Sequence, residues 1–153
     1  MEPTIDVRVV SHEEFRDLFD AEHEAHAKEV KSDTFNMELN PNFDAYKALQ
    51  DSGSFLPIAA FIEGENAGYL NLIAQPALCS KDHMVAVADG FFVNPKFRRL
   101  GVMQRLVTEA ESLCSSVGVT SLSLAVMAGK GGGSEFVESL GYTKAEITYT
   151  KIL

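Results

Sequence analysis

The chain has 153 residues, 46% hydrophobic and 23% charged, which predicts one domain over residues 1–153 with a core that needs no disulfide or metal staple. Its formal net charge of −9 argues against general nucleic-acid binding, which draws its affinity from cations on phosphates. No apolar run is long enough to span a bilayer and the acidic start is unlike a signal peptide, so the expectation is a cytoplasmic protein with no membrane partner.

Ile5, Val7 and Val9 alternate as a first strand that stops at Ser11. Ser11 with Glu14 is a capping-box pattern, and Phe15, Leu18, Phe19, Glu22, Ala25 and His26 then follow helical spacing. Within that helix His23 and His26 stand one turn apart among carboxylates. The spacing is not that of a metalloprotease and no further ligand cluster follows, so a solvated face is expected and no metal. Lys31 to Pro41 reads as a loop, Asn42 caps a second helix over Asp44–Gln50, and Gly53 ends it. Phe55–Ile62 and Ala67–Ile73 form two strands joined by a hairpin turn at Gly64-Glu65-Asn66.

The stretch from Val87 to Val117 reads as strand, polar loop and long helix. Ala86, Val87, Phe91, Phe92 and Val93 favour a strand, and Asn94-Pro95 closes it. Lys96, Arg98, Arg99 and Arg105 cluster around Gly101, while Met103, Leu106, Val107, Ala110, Leu113, Cys114 and Val117 share one helical face. A basic loop feeding a helix N-terminus suits phosphate, because the first N–H groups lack intrahelical partners and the helix dipole favours an anion. An ordinary strand-to-helix connection with solvated arginines is the other reading. Cys114 belongs to the buried face, and a disulfide with the distant Cys79 is not expected.

Thr120–Val126 alternates as another strand. The run Gly129 to Ser134 lacks the spacing of a nucleotide loop and reads as a flexible joint. A helix over Glu135–Leu140 stops at Gly141, and Thr143–Leu153 alternates as a closing strand or hairpin that can pair across a two-fold axis or within the chain. Together these elements predict an α/β fold, a mixed central sheet flanked by helices on both faces.

Val93-Asn94-Pro95, Arg98-Arg99-Leu100-Gly101-Val102-Met103 and Phe136-Val137-Glu138-Ser139-Leu140-Gly141-Tyr142 resemble, in order and spacing, the motifs of the GNAT family of N-acetyltransferases. The resemblance implies direct transfer of acetyl from acetyl-CoA to a primary amine on a small molecule, a lysine or a protein N-terminus, with CoA as co-product and homodimers common. It implies a pyrophosphate cradle of backbone N–H groups from Arg99, Leu100, Gly101, Val102, Met103 and Gln104, charge from among Arg98, Arg99 and Arg105, and pantetheine contacts at Phe92 and Val93. Asp89 aligns with the family's glutamate base and would act through water, although a bulge aspartate beside Gly90 is equally a structural feature. Two residues depart from the pattern: Met103 replaces a glycine or alanine, its side chain turned to the core, and Val137 stands where many members carry a thiolate-protonating tyrosine. The alternative is therefore a weakened module that binds CoA or a protein partner without turnover. The size and the closing Glu-x-x-Tyr-x-Lys pattern are also similar to bacteriophage-encoded transferases.

Overall fold

The computed structural model describes residues 3–31, 40–129 and 132–153. In chain order the elements are β1 (Ile5–Val9), α1 (His12–Val30), α2 (Phe43–Asp51), β2 (Phe55–Ile62), β3 (Glu65–Pro76), β4 (Met84–Val93), α3 (Val102–Ser116), β5 (Val119–Leu124) and α4 (Gly133–Ser139), with a single 3₁₀ turn at Pro95–Phe97. The sheet runs β1-β2-β3-β4-β5 in space. Its first three pairings are antiparallel and the β4–β5 pairing is parallel, with α3 as the crossover.

Strand alternation divides the side chains between two cores. Ile58, Ala60, Ile62, Leu70, Leu72, Ala74, Ala86 and Ala88 meet the apolar stripe of α3, where Val102, Leu106, Val107, Ala110 and Cys114 are buried. On the opposite face Phe55 and Ala59 pack with Phe15 of α1, and Phe19, Phe43, Tyr46 and Leu49 close around them. The helices therefore lie on both faces of a mixed sheet. The Ser11 hydroxyl accepts from the Glu14 N–H at 3.1 Å, and the Glu14 carboxylate accepts from the Ser11 N–H at 3.0 Å, so the capping box starts α1 as its sequence predicts. Arg8 adds two bonds to the same carboxylate and, first among the causes, draws the Glu14 pKa down to about 2.

Three expectations are corrected. The β2–β3 hairpin turns at Glu63 and Gly64, which take φ of 51° and 81°, rather than at residues 64–66. Val117 lies past the last turn of α3 and is 46% exposed, so it leaves the buried stripe. The closing strand is absent: residues 143–153 have no regular structure and every one is exposed. A strand requires a neighbour for its N–H and C=O groups, and among the described residues this segment has none. The loop expected over Lys31–Pro41 and the joint over Gly129–Ser134 lie partly outside the described residues. Among the described residues no helix is long and apolar enough to cross a membrane.

Candidate active site

The site begins with a break in strand periodicity. In β4 the side chains facing α3 are Ala86 and Ala88, and then Phe91 and Val93. One residue too many lies between the two pairs, because Asn71 of β3 pairs with Gly90 and Leu72 pairs with Ala88. Asp89 is the extra residue of a β-bulge, exposed at the kink. The parallel pairing with β5 also stops there, at Ala88 and Leu124. Beyond Ala88, β4 runs on to Val93 with no β5 partner along that edge.

Into the gap opens a cavity of about 390 Å³, lined from β4 by Phe91, Phe92 and Val93 and from the following loop by Arg98, Arg99 and Gly101. Val102, Met103 and Gln104 of the first turn of α3 complete that wall. Gly101, the N-cap, takes φ of 80°, and no side chain caps the helix. Arg105 donates the first helical hydrogen bond, to the Gly101 carbonyl at 3.1 Å, so the N–H groups of Val102, Met103 and Gln104 precede the helical ladder. Arg99 takes a left-handed φ of 68°, uncommon outside glycine. Together the cavity and the uncapped helix start suit an anion, and they adjoin the edge of β4 that has no β5 partner.

Arg98 holds this loop to the strand. Its Nε donates to the Val93 carbonyl at 3.0 Å, an Nη group pairs with Glu29 of α1, and the guanidinium sits 5.8 Å from the centre of the Phe92 ring. Lys96 is paired with Glu65 at 2.5 Å. The close approach of β3 to β4 here requires Gly68, since a Cβ on it would stand 2.5 Å from the Phe92 carbonyl oxygen.

On the α1 and α2 side of the bulge lies a second set of polar groups. The Tyr46 hydroxyl donates to Asp89 Oδ2 at 3.0 Å. His26 stacks on Phe92 with ring centres 5.3 Å apart, and its Nδ1 lies 2.5 Å from the Tyr69 hydroxyl. Burial lowers the His26 pKa, opposed by Glu29, and raises that of Tyr69, so both are neutral at pH 7. The phenol O–H is then the donor and the imidazole Nδ1 the acceptor. A Cβ on Gly90 would stand 3.5 Å from the His26 ring, which puts the imidazole against the bulge. Glu22, one turn before His26, accepts from the Asn94 side chain at 3.0 Å.

Of the residues singled out from sequence, Phe92, Val93, Arg98, Arg99, Gly101, Val102, Met103 and Gln104 surround the cavity, whereas Leu100 is 42% exposed and not part of its wall. Met103 packs against the α3 core and lines the cavity as well. Arg105 is not part of the wall, so the charge there comes from Arg98 and Arg99. Glu29, Phe91, Phe97 and Phe136 line the cavity too and were not read as site residues. Glu22, His26 and Glu29 fall at i, i+4 and i+7, one helical face, and that spacing was the available signal. Among the described residues no three His, Cys, Asp or Glu side chains are grouped to hold a metal. The Nδ1 of His23 instead lies 2.9 Å from the Asp20 carbonyl, and its ring stacks on Phe19.

The profile of the acetyltransferase (GNAT) family matches residues 12–142. Solved structures of similar fold include an aminoglycoside acetyltransferase from an uncultured soil metagenomic sample in complex with sisomicin, 15% identical, with a TM-score of 0.77, 97% of this chain and 96% of that one covered. A ribosomal-protein-alanine N-acetyltransferase from Brucella melitensis biovar Abortus 2308 is 13% identical, with a TM-score of 0.76 and 98% and 99% covered. Glucosamine-6-phosphate N-acetyltransferase from Arabidopsis thaliana is 14% identical, with a TM-score of 0.73 and 97% and 98% covered. No curated protein matches the sequence.

Proposed function

The chain belongs to the acetyltransferase (GNAT) family, and from that premise we propose that it is a single-domain, acetyl-CoA-dependent N-acetyltransferase acting on a primary amine. The observation that carries the reading is the cavity at the uncapped start of α3, continuous with the β4 edge left open beyond Ala88. Its parts match what CoA presents: a pyrophosphate for the N–H groups of Val102, Met103 and Gln104, and pantetheine amides for the β4 edge that has no β5 partner beside Phe92 and Val93. Bound there, acetyl-CoA supplies an activated acyl group.

The chain's own residues then have three tasks. Arg98, fixed by Val93 and Glu29, holds the loop in the shape that presents the cradle, and Arg99 adds charge beside it. The bulge directs Asp89 away from the sheet, exposed, where its carboxylate takes the amine proton through a water. Tyr46 fixes one oxygen of that carboxylate and leaves the other free to accept. Glu22 and Asp89 give the acceptor side negative charge, which favours a cationic amine, on a small molecule or a peptide. Val137 brings no acid to the leaving thiol; a thiol with a pKa near ~8.5 leaves as thiolate, so transfer proceeds more slowly than with a proton donor.

Val137 also favours a second reading, in which the scaffold binds CoA or a protein partner without turnover. Thiol release from acetyl-CoA separates the two, measured against a panel of polyamines, aminoglycosides and peptides with a free N-terminus. The first reading expects amine-dependent thiol release that falls about 10²-fold in Asp89→Asn with CoA affinity unchanged. CoA binding with no thiol release from any amine would support the second.

A further inference from the structure

The bulge at Asp89 stands at one end of a sheet face that the site described above does not use. On the side of the sheet away from α3, the register sets Ile73 of β3, Val87 of β4 and Ser123 of β5 in one row, with Val85 and Ser121 in the row before it. Ala86, Ala88, Leu122 and Leu124 alternate with these residues and pack towards α3. The row through Val87 begins at Phe55 of β2, fully buried beneath α1 and α2, and emerges at β5. Ile73 and Val85 are half-buried, Val87 is 40% exposed, and both serines are exposed.

Tyr46 of α2 walls this trough. Its ring centre lies 4.9 Å from that of Phe55, and its hydroxyl donates to Asp89 at 3.0 Å. Charge is confined to one end. Asp89 is the only charged residue of β4 and β5, and β3 carries only Glu65, at the opposite end of that strand from Ile73. Measured along β4, Val87 lies roughly 7 Å and Val85 roughly 13 Å from Asp89.

We infer that the acceptor is a primary amine with a single positive charge and an uncharged, largely apolar body, its nitrogen at Asp89 and its body along Val87 and Val85. The inference rests on the N-acetyltransferase reading and narrows its acceptor. A lone carboxylate at the end of an uncharged trough complements one ammonium group, and a second cation farther along would leave water over Val87 with no partner. An alkyl body, in contrast, removes the exposed valine surface from water, and the hydroxyls of Ser121 and Ser123 offer hydrogen bonds along its β5 flank. In the transfer the amine nitrogen bonds the acyl carbon, the carbon–sulfur bond breaks with its electron pair left on sulfur, and the amine proton passes through water to Asp89.

The test compares hexylamine with hexamethylenediamine, which adds a second ammonium at the far end, as acceptors in thiol release from acetyl-CoA. The wild type should use hexylamine with a kcat/KM about tenfold higher, carried by KM, which is what covering roughly two methylene groups supplies. Val87→Asp puts a carboxylate beneath the far end and should reverse the preference. Ser123→Asp, in the same row and exposed, should do likewise, so that a folding defect in one variant does not decide the outcome. Damage to structure alone would slow both amines alike. A wild type that uses the diamine as well as hexylamine, a preference unchanged in both variants, or thiol release with polyamines or aminoglycosides but not with hexylamine would overturn the inference and leave acetyl transfer standing. Thiol release with no amine at all would remove the acetyltransferase reading, and this inference with it.

Discussion

Glu14 shows how much one side chain can hold in place. It closes the capping box of α1 and pairs with Arg8, and the guanidinium together with the Ser11 N–H keeps its carboxyl ionised down to about 2. An acid whose folded pKa is depressed stabilises the fold above its unfolded value near ~4.3 and loses that contribution as pH falls towards its folded value. Glu14→Gln should therefore melt earlier than wild type at pH 7, and the gap should narrow as pH falls below about 4; the pair is exposed, so added salt shrinks the gap too. A gap that does not depend on pH would contradict this. His26 acts in a different window. Burial disfavours its charged form, so the unfolded chain takes up the proton more readily. Stability from the neutral ring is complete above about pH 6.5 and declines as pH falls from there. Melting curves should show a slope that sets in as pH falls below about 6.5 and that His26→Gln flattens.

At the scale of the element, β4 shapes the candidate site. Its single extra residue turns Asp89 outward and returns Phe91 and Val93 to the α3 face, while the pairing with β5 ends at Ala88. β3 has to follow closely, and Gly68 permits it. In Gly68→Ala the new methyl meets the Phe92 carbonyl, so either the strand shifts or the packing strains. The expected cost is about 1–3 kcal/mol, read from the urea midpoint, with acetyl-CoA affinity reduced because Phe92 and Val93 line the cavity. Unchanged stability would mean that the two strands part without cost. The bulge was half legible in the sequence: the apolar positions Ala86, Ala88, Phe91 and Val93 carry the phase change. Asp89 beside Gly90 reads locally as a bulge, while the register with β3 that makes it the extra residue is encoded by no local pattern. The capping box, the α3 stripe and the glycine at its N-cap depend only on neighbours a few positions away, and they were readable for that reason.

For the whole molecule, the same distinction between local and distant determinants explains what the sequence could not disclose. The order of elements up to α4 and the mixed sheet follow from periodicity and from the family motifs and are as expected, whereas the closing strand is not formed. The polar cluster beside the bulge is assembled from parts far apart in the chain, His26 with Tyr69 and Tyr46 with Asp89, each pair 43 residues apart. Reading α1 alone made His26 part of a solvated face. The segment 143–153 has strand alternation but no partner among the described residues, and alternation predicts a strand only when something stands beside it.

Thermal unfolding with and without acetyl-CoA tests the central claim most directly, run in parallel on the wild type and on an Arg99→Glu, Gly101→Glu variant. Both substitutions put negative charge into the wall of the cavity, and neither residue is part of the buried core. At ligand one hundredfold above its dissociation constant, linkage predicts about 2.7 kcal/mol of stabilisation in the wild type. A folded variant should show none. No shift in the wild type at millimolar acetyl-CoA, or an equal shift in both proteins, would contradict the assignment of the cofactor to this cavity.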